Sequence, residues 1–310
     1  MVAVMTLPVG VTLPNYGPLA GAAALARLAR RAEDVGFDSI WVADHLVIPC
    51  EVGSIYPFDT RARPEPARLE GLVEFYEPVV TLAYIAAVTT RIRLGISVYI
   101  VPYRNPVVTA KLIATLDALS NGRVIFGAGV GWLRVEFQAL GAGPGRRGRV
   151  TDEYLEVCRR LWRDDVASFS GAHYHLPAVR TGPKPIQRPW PPIWIGGNSE
   201  AALARAVALG DGLHLIDLSP DDAATIGTQL DRRLHAAGRA RAGVTLSLRT
   251  SVLVRGASGA DPSWTPETLR RDRDAYARAG IDYFIVAPRA ADSVEQLEAA
   301  FTDIAAALRV

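Results

Sequence analysis

Asp44 and His45, adjacent in the chain, are the residues best suited to moving protons. Histidine is the side chain whose unperturbed pKa, about 6.5, lets it change charge near neutral pH. A second chemical feature is Gly196-Gly197-Asn198-Ser199, which follows an apolar run and precedes an amphipathic stretch. Two glycines ahead of a helix start leave backbone N–H groups free beside the positive end of the helix dipole, which suits a phosphate. A tight turn with no ligand fits the same residues. A third feature is Gly127-Ala128-Gly129-Val130-Gly131, followed by Trp132. It is not GxGxxG, and close backbone approach at a ligand face is the better reading. His173 and His175 alternate in a polar hairpin without an acidic partner in sequence, which reads as solvated, so no metal site is expected. The basic runs Arg61, Arg63 and Arg146, Arg147, Arg149 read as surface faces.

These residues are useful only if the fold brings them together, and periodicity says that it does. Apolar strands are expected at Val9 to Leu13, Ser39 to Val42, Ile92 to Ile100, Val124 to Phe126, Ile193 to Ile195, around Leu213 and Leu215, Leu246 to Val254, and Tyr283 to Val286. Between them lie helical patterns. One carries Leu25, Leu28, Ala32 and Val35; one opens at Glu77-Pro78 and runs to about Thr90. Another is capped by Asn105-Pro106 and should bury Val108, Leu112, Thr115 and Leu119. In the helix that follows Gly196 and Gly197, Asn198 is the expected N-cap. Leu46 to about Phe75 shows no periodicity and reads as a lid. Residues 133–190 read as an insertion between strands four and five. Strands alternating with helices imply a closed (β/α)8 TIM barrel, in one domain over 1–310, rather than an open sheet. The strand ends then meet at one rim: Asp44 and His45, Ser97 and Val98, Gly129, and Gly196 to Ser199. A histidine at that rim favours ligand contact, although one satisfied by backbone is the alternative.

Composition narrows the class further. A chain of 310 residues with 49% hydrophobic residues and a net charge of +2 suits a large core and carries no nucleic-acid footprint. Cys50 and Cys158 have no metal or CxxC spacing, which suits a reducing cytoplasmic setting. No membrane span or signal peptide is expected, since the N-terminal apolar run is broken by Pro8 and Pro14.

Five stretches in order, GFDSIWVADH (36–45), RIRLGISVYIVPYRNP (91–106), GRVIFGAGVGW (122–132), PPIWIGG (191–197) and GDG (210–212), resemble the bacterial luciferase-like flavin and deazaflavin oxidoreductases. The aspartate-histidine pair is similar to the F420-dependent branch. The resemblance implies coenzyme F420, or alternatively FMN, with the ring over the rim. It gives Asp44 and His45 the role of a ring-facing, catalytic pair. It places a bulge with a non-prolyl cis peptide at Ser97-Val98, and the phosphate on Gly196, Gly197, Asn198 and Ser199. Trp132 stands where the sugar-phosphate dehydrogenases of this branch carry a glutamate, which points to an apolar or planar small-molecule substrate. The expected function is hydride transfer between the deazaflavin and that substrate. The alternatives are an FMN-dependent monooxygenase, which alone would need a flavin reductase as partner, and a non-catalytic flavin-binding relative. A homodimer is implied by the same resemblance. Arg180, Lys184 and Arg188 are candidates for meeting the anionic tail of F420.

Overall fold

The structure is a computed structural model and describes residues 7–50, 73–254 and 264–309. Most of the expected lid, and the Arg61, Arg63 run, lie outside the described residues. The chain opens with β1 (Val9–Thr12), α1 (Ala22–Asp34) and β2 (Ser39–Val42). Helix α1 turns Leu25, Ala26, Leu28, Ala29 and Ala32 inward. Helix α2 (Pro78–Ala86) starts where expected, because the Glu77 side chain accepts from the Val80 amide and proline fills the first turn. It stops earlier than Thr90.

The third strand is not continuous. It divides into β3 (Arg93–Ile96) and β4 (Tyr99–Ile100), broken by a cis peptide between Ser97 and Val98. After a short 3-10 turn at Val101–Tyr103 comes α3 (Pro106–Leu119), capped by the Asn105 side chain on the Val107 amide. Its buried face differs from expectation. Thr109, Ala110, Ile113, Ala114, Leu116 and Asp117 face inward, while Val108 and Leu119 are exposed. The small alanines let the helix sit close, and the Trp162 indole donates to the Ala110 carbonyl at 2.9 Å.

Strand β5 (Val124–Gly129) carries Gly127 and Gly129 within the strand rather than after it, and Gly131 follows. The insertion then supplies α4 (Arg134–Ala139), α5 (Arg147–Arg163) and an antiparallel hairpin of β6 (Ala167–Ser170) and β7 (His175–Val179). The remaining units are β8 (Ile193–Gly196), α6 (Glu200–Leu209), β9 (Gly212–Ile216), α7 (Pro220–Ala236), β10 (Thr245–Leu253), α8 (Pro266–Arg278), β11 (Tyr283–Arg289) and α9 (Val294–Arg309).

Parallel pairing runs β3-β2-β1-β11-β10-β9-β8-β5, and a further β3–β5 pairing closes the ring. This is the eight-stranded (β/α)8 barrel. Alternate strand residues face two different cores. Ile40, Val42, Leu94, Ile96, Phe126, Ile193, Leu213 and Leu248 pack outward against the helices. Trp41, Ile125, Trp194, Tyr283 and Ile285 fill the barrel interior. Trp41 and Trp194 stack at 5.3 Å, and a Cβ on Gly95 would lie 2.3 Å from the Trp41 ring, so glycine there is what leaves room for the indole. Packed side chains therefore plug the barrel below its C-terminal mouth, where barrel proteins place their chemistry. Among the described residues no helix is long and apolar enough to cross a membrane.

Candidate functional site at the barrel mouth

Asn15, after β1, is completely buried and ties three segments together. Its amide donates to the carbonyls of Ala43 (2.8 Å) and Tyr76 (3.0 Å), and its oxygen accepts from the Ala43 amide. The end of β2, and with it Asp44 and His45, is thereby fixed relative to the 73–76 segment. Asp44 is 3% exposed. Its carboxylate accepts from the Ile100 amide and, in a two-point pair, from both terminal nitrogens of Arg104, each at 2.8 Å. Arg104 also reaches Glu77 and lies over the Tyr99 ring. Burial would lower the Arg104 pKa, and its bonds and charge interaction with Asp44 more than reverse this, so the guanidinium stays charged. Asp44 thus braces β4 and the turn after it.

The carboxylate that meets His45 comes from elsewhere. Glu136, on α4 in the insertion, places Oε2 2.8 Å from His45 Nδ1. Glu136 has no exposed surface. Its Oε2 also accepts from the Tyr103 hydroxyl, and its Oε1 accepts from the Leu46 and Val47 amides. Burial pushes the Glu136 carboxyl up, but the bonds to His45, Leu46 and Tyr103 outweigh it and hold the group below the usual carboxylate range. Burial and the neighbouring Glu136 charge raise the Tyr103 phenol far above its ordinary value, so it remains a donor. Sequence reasoning missed Glu136, which in a short helical pattern looks like a solvated face.

His45 is otherwise walled by aromatic rings. Its ring meets the edges of Phe75 at 5.3 Å and Trp132 at 6.2 Å, and Phe75 stacks on Tyr16 at 4.9 Å. Arg289, at the end of β11, donates to the Tyr16 hydroxyl. Trp132 therefore lies beside His45 at the mouth.

The glycines of β5 and β8 make room for the bulge. A Cβ on Gly129 would lie 2.3 Å from one Val98 methyl and one on Gly196 2.5 Å from the other. Gly127 is tighter still, with the Ile96 carbonyl oxygen 1.9 Å from where its Cβ would be. The close approach read from the glycine run is thus to the chain's own bulge. Beneath it, His214 on β9, another residue missed in the sequence, holds Ser97 Oγ at 2.8 Å.

The turn after β8 is built differently from expectation. Ser199, not Asn198, caps α6, its hydroxyl accepting from the Ala202 amide. Asn198 instead bridges to β9, donating to the Ile216 carbonyl and accepting from the Ile216 amide. The Gly197 amide, expected to face a phosphate, donates to the His214 carbonyl at 3.0 Å. No described residue accepts from the amides of Asn198 and Ser199, which remain at the positive end of α6. Gly197 has φ +127, a conformation that suits glycine.

Lys184 and Arg188 are not near this turn. Lys184 donates to the carbonyls of Leu161 and Asp164 at the end of α5, and Gln187 donates to the carbonyl of Val124, the first residue of β5. That segment closes the N-terminal face of the barrel, opposite the mouth. The start of α5 does lie beside α6, where Arg205 donates to the Gly148 carbonyl and pairs with Asp152. Among the described residues no cluster of His, Cys, Asp and Glu side chains is arranged to hold a metal.

The closed barrel with its divided third strand is the frame that carries His45 and the N-terminus of α6. The chain belongs to the luciferase-like monooxygenase family, whose sequence pattern matches residues 1–304. An uncharacterized protein of Mycobacterium tuberculosis (strain ATCC 25618 / H37Rv) is 38% identical over 172 residues, 55% of this chain and 59% of that protein. The chain thus spans about three fifths of that relative's length. Among solved structures, the monooxygenase RslO1 from Streptomyces bottropensis superposes with TM-score 0.78 at 21% identity, covering 97% of this chain and 98% of that one. An F420-dependent secondary alcohol dehydrogenase in complex with an F420-acetone adduct superposes equally, at 0.78 and 18% identity, over 99% and 100%. Both likenesses concern the fold.

Proposed function

We propose that this protein is an F420-dependent oxidoreductase that transfers hydride between the deazaflavin and a small organic substrate. The observation that carries the reading is His45 at the barrel mouth, held through Nδ1 by a buried carboxylate and set among Phe75 and Trp132. The residues fit the cofactor. Val98, projecting between Gly129 and Gly196, offers a platform for a planar ring, and the Asn198 and Ser199 amides suit its phosphate. Arg147 and Arg149, at the start of α5 beside α6, replace Lys184 and Arg188 as the cations suited to an anionic tail. When bound, the deazaflavin supplies two-electron chemistry, because carbon stands where flavin has the nitrogen that supports reaction with oxygen. The protein's own part is then to position and to move a proton. His45 gives or takes the proton that accompanies hydride transfer, or stabilises negative charge on the reduced ring. Phe75 and Trp132 exclude water and favour an apolar or planar substrate.

Titrating the purified protein with F420 and with FMN, followed by fluorescence quenching, tests the reading. F420 binding with turnover of an alcohol or a planar carbonyl compound supports it. Tight FMN binding without F420 binding reassigns the chain to an FMN-dependent monooxygenase; the monooxygenase RslO1 shares the fold. Cofactor binding without turnover across a broad substrate panel marks a binding protein. A homodimer and a cytoplasmic setting belong to the same proposal, and sedimentation equilibrium measures the first.

A further inference from the structure

We infer that Glu136 is the positioning residue for His45, fixing which ring nitrogen carries the proton and which is presented to the mouth. The inference rests on the proposed role of His45 for its kinetic consequence, but its tautomer statement stands without any cofactor. An ionised carboxylate only accepts hydrogen bonds, so an Nδ1 lying 2.8 Å from Glu136 Oε2 must carry the hydrogen. In the neutral ring Nε2 is then the lone-pair nitrogen, and no described residue is bonded to it.

The carboxylate is held as rigidly as the ring it holds. Oε1 takes the Leu46 and Val47 amides, and Oε2 takes the Tyr103 hydroxyl as well as His45. Turning Glu136 away would break four hydrogen bonds, the buried one from the Tyr103 hydroxyl among them, and each carries a cost. The Phe75 and Trp132 edges limit rotation of the imidazole. Among the described residues, Glu136 and Tyr103 are the titratable groups facing the ring, with the Asp44, Arg104 and Glu77 network behind them. Asp44, the sequence neighbour, bonds to Ile100 and Arg104 instead. The sequence distance of 91 residues between Glu136 and His45 means that the insertion helix completes the site. Partners of this kind are familiar from triads, where a carboxylate fixes the tautomer of a working histidine and its amide analogue imposes the wrong one.

The test begins with the unmodified protein. With 15N-labelled histidine, and His45→Ala to assign the signal, NMR over a rising pH series, read where the shifts no longer change, reports the neutral tautomer. The proton on Nδ1 is the expected result; a proton on Nε2, or an even mixture, overturns the inference. In Glu136→Gln the amide NH2 can face the ring, so the population should move towards the Nε2–H form. Single-turnover hydride transfer with F420 saturating should fall roughly 10- to 1,000-fold, within the range a positioned acid or base contributes, while F420 affinity changes less than about threefold. In a His45→Ala background the same substitution should cause no further loss in rate. An equal loss in that background, or an unchanged tautomer and rate in Glu136→Gln, overturns it. Should His45→Ala itself leave hydride transfer unaffected, the proposed role of His45 fails, and the NMR result still decides for or against Glu136.

Discussion

Ser97 Oγ and His214 Nε2 lie 2.8 Å apart, and this bond ties the bulge of the third barrel strand to the barrel interior. The other ring nitrogen of His214 lies 2.9 Å from Ser247 Oγ, and its face stacks on Trp41 at 5.2 Å. The imidazole is therefore a spacer with two hydrogen-bonding ends, set across the barrel from β3 to β10. Burial, and secondarily the nearby Arg249 charge, push its pKa down to about 3. His214 works as a neutral ring.

The first prediction concerns pH and stability. The folded pKa of His214 is depressed below the unfolded value of about 6.5, so between those values the unfolded chain binds the extra proton. Stability should be unaffected by this group above pH of about 6.5 and should fall as pH drops, by roughly 1.4 kcal/mol per unit, until about 3. Urea unfolding at pH of about 4 and about 5.5, both inside that window, measures the slope. His214→Asn should show a slope smaller by about that amount; identical slopes would mean that His214 takes up its proton in the folded state.

The second concerns the bulge. Gly129→Ala and Gly196→Ala drive a methyl group against Val98, and overpacking of this kind costs about 1–3 kcal/mol. Since the atoms struck belong to one side chain, adding Val98→Ala should recover part of each loss, a coupling of roughly 0.5–3 kcal/mol. Gly127→Ala should not be recovered, because there the obstacle is the Ile96 backbone oxygen. Additive losses in all three double mutants would show that the bulge relaxes by moving its backbone.

Which of these features could be read from the sequence depended on whether the signal was local. The barrel order was legible because four units carry their own punctuation: Glu77-Pro78, Asn105-Pro106, Ser219-Pro220 and Thr265-Pro266 all start helices where they stand. The inner face of α3 was not, since apolar residues occur all round it and the chosen face uses alanines, Thr109 and Asp117. Asp117 is buried because it accepts from Ile186 and Gln187, a contact set by chain 69 and 70 residues away. The mouth was legible as a place, through strand ends and glycines. Its hydrogen bonding was not: Glu136 and His214 meet their partners only after the barrel closes, and Asn198 yields the cap to Ser199 because Ile216 of the next strand offers it two bonds.

The third prediction separates bracing from chemistry at Asp44. Removing one member of a buried pair leaves the other charge uncompensated, at a cost of about 3–5 kcal/mol. Asp44→Ala should lose stability on that scale, because among the described residues Glu77, at 3.1 Å, is the one carboxylate left to Arg104, and the Ile100 amide loses its acceptor. Asp44→Ala with Arg104→Met should be more stable than Asp44→Ala alone. Unfolding curves in urea decide this. An Asp44→Ala protein of unchanged stability that has lost hydride transfer would instead put the carboxylate in contact with the cofactor.

The last prediction is that His45→Ala slows the chemical step itself. Two roles compete for this residue at the mouth. As proton carrier, His45 uses the nitrogen left unbonded when Nδ1 faces Glu136, and its loss removes the contribution of a positioned acid or base, roughly two to four orders of magnitude. As a brace, it would merely keep Phe75 and Trp132 in place through its two edge contacts, and its loss would loosen the wall and weaken cofactor binding. Single-turnover hydride transfer at saturating F420 discriminates, because saturation removes any difference in affinity. A fall of about 10²- to 10⁴-fold with near-normal affinity is the expected outcome. Weakened binding with an unchanged saturated rate would make His45 part of the wall, and the proton would then have to come from water or from a substrate hydroxyl.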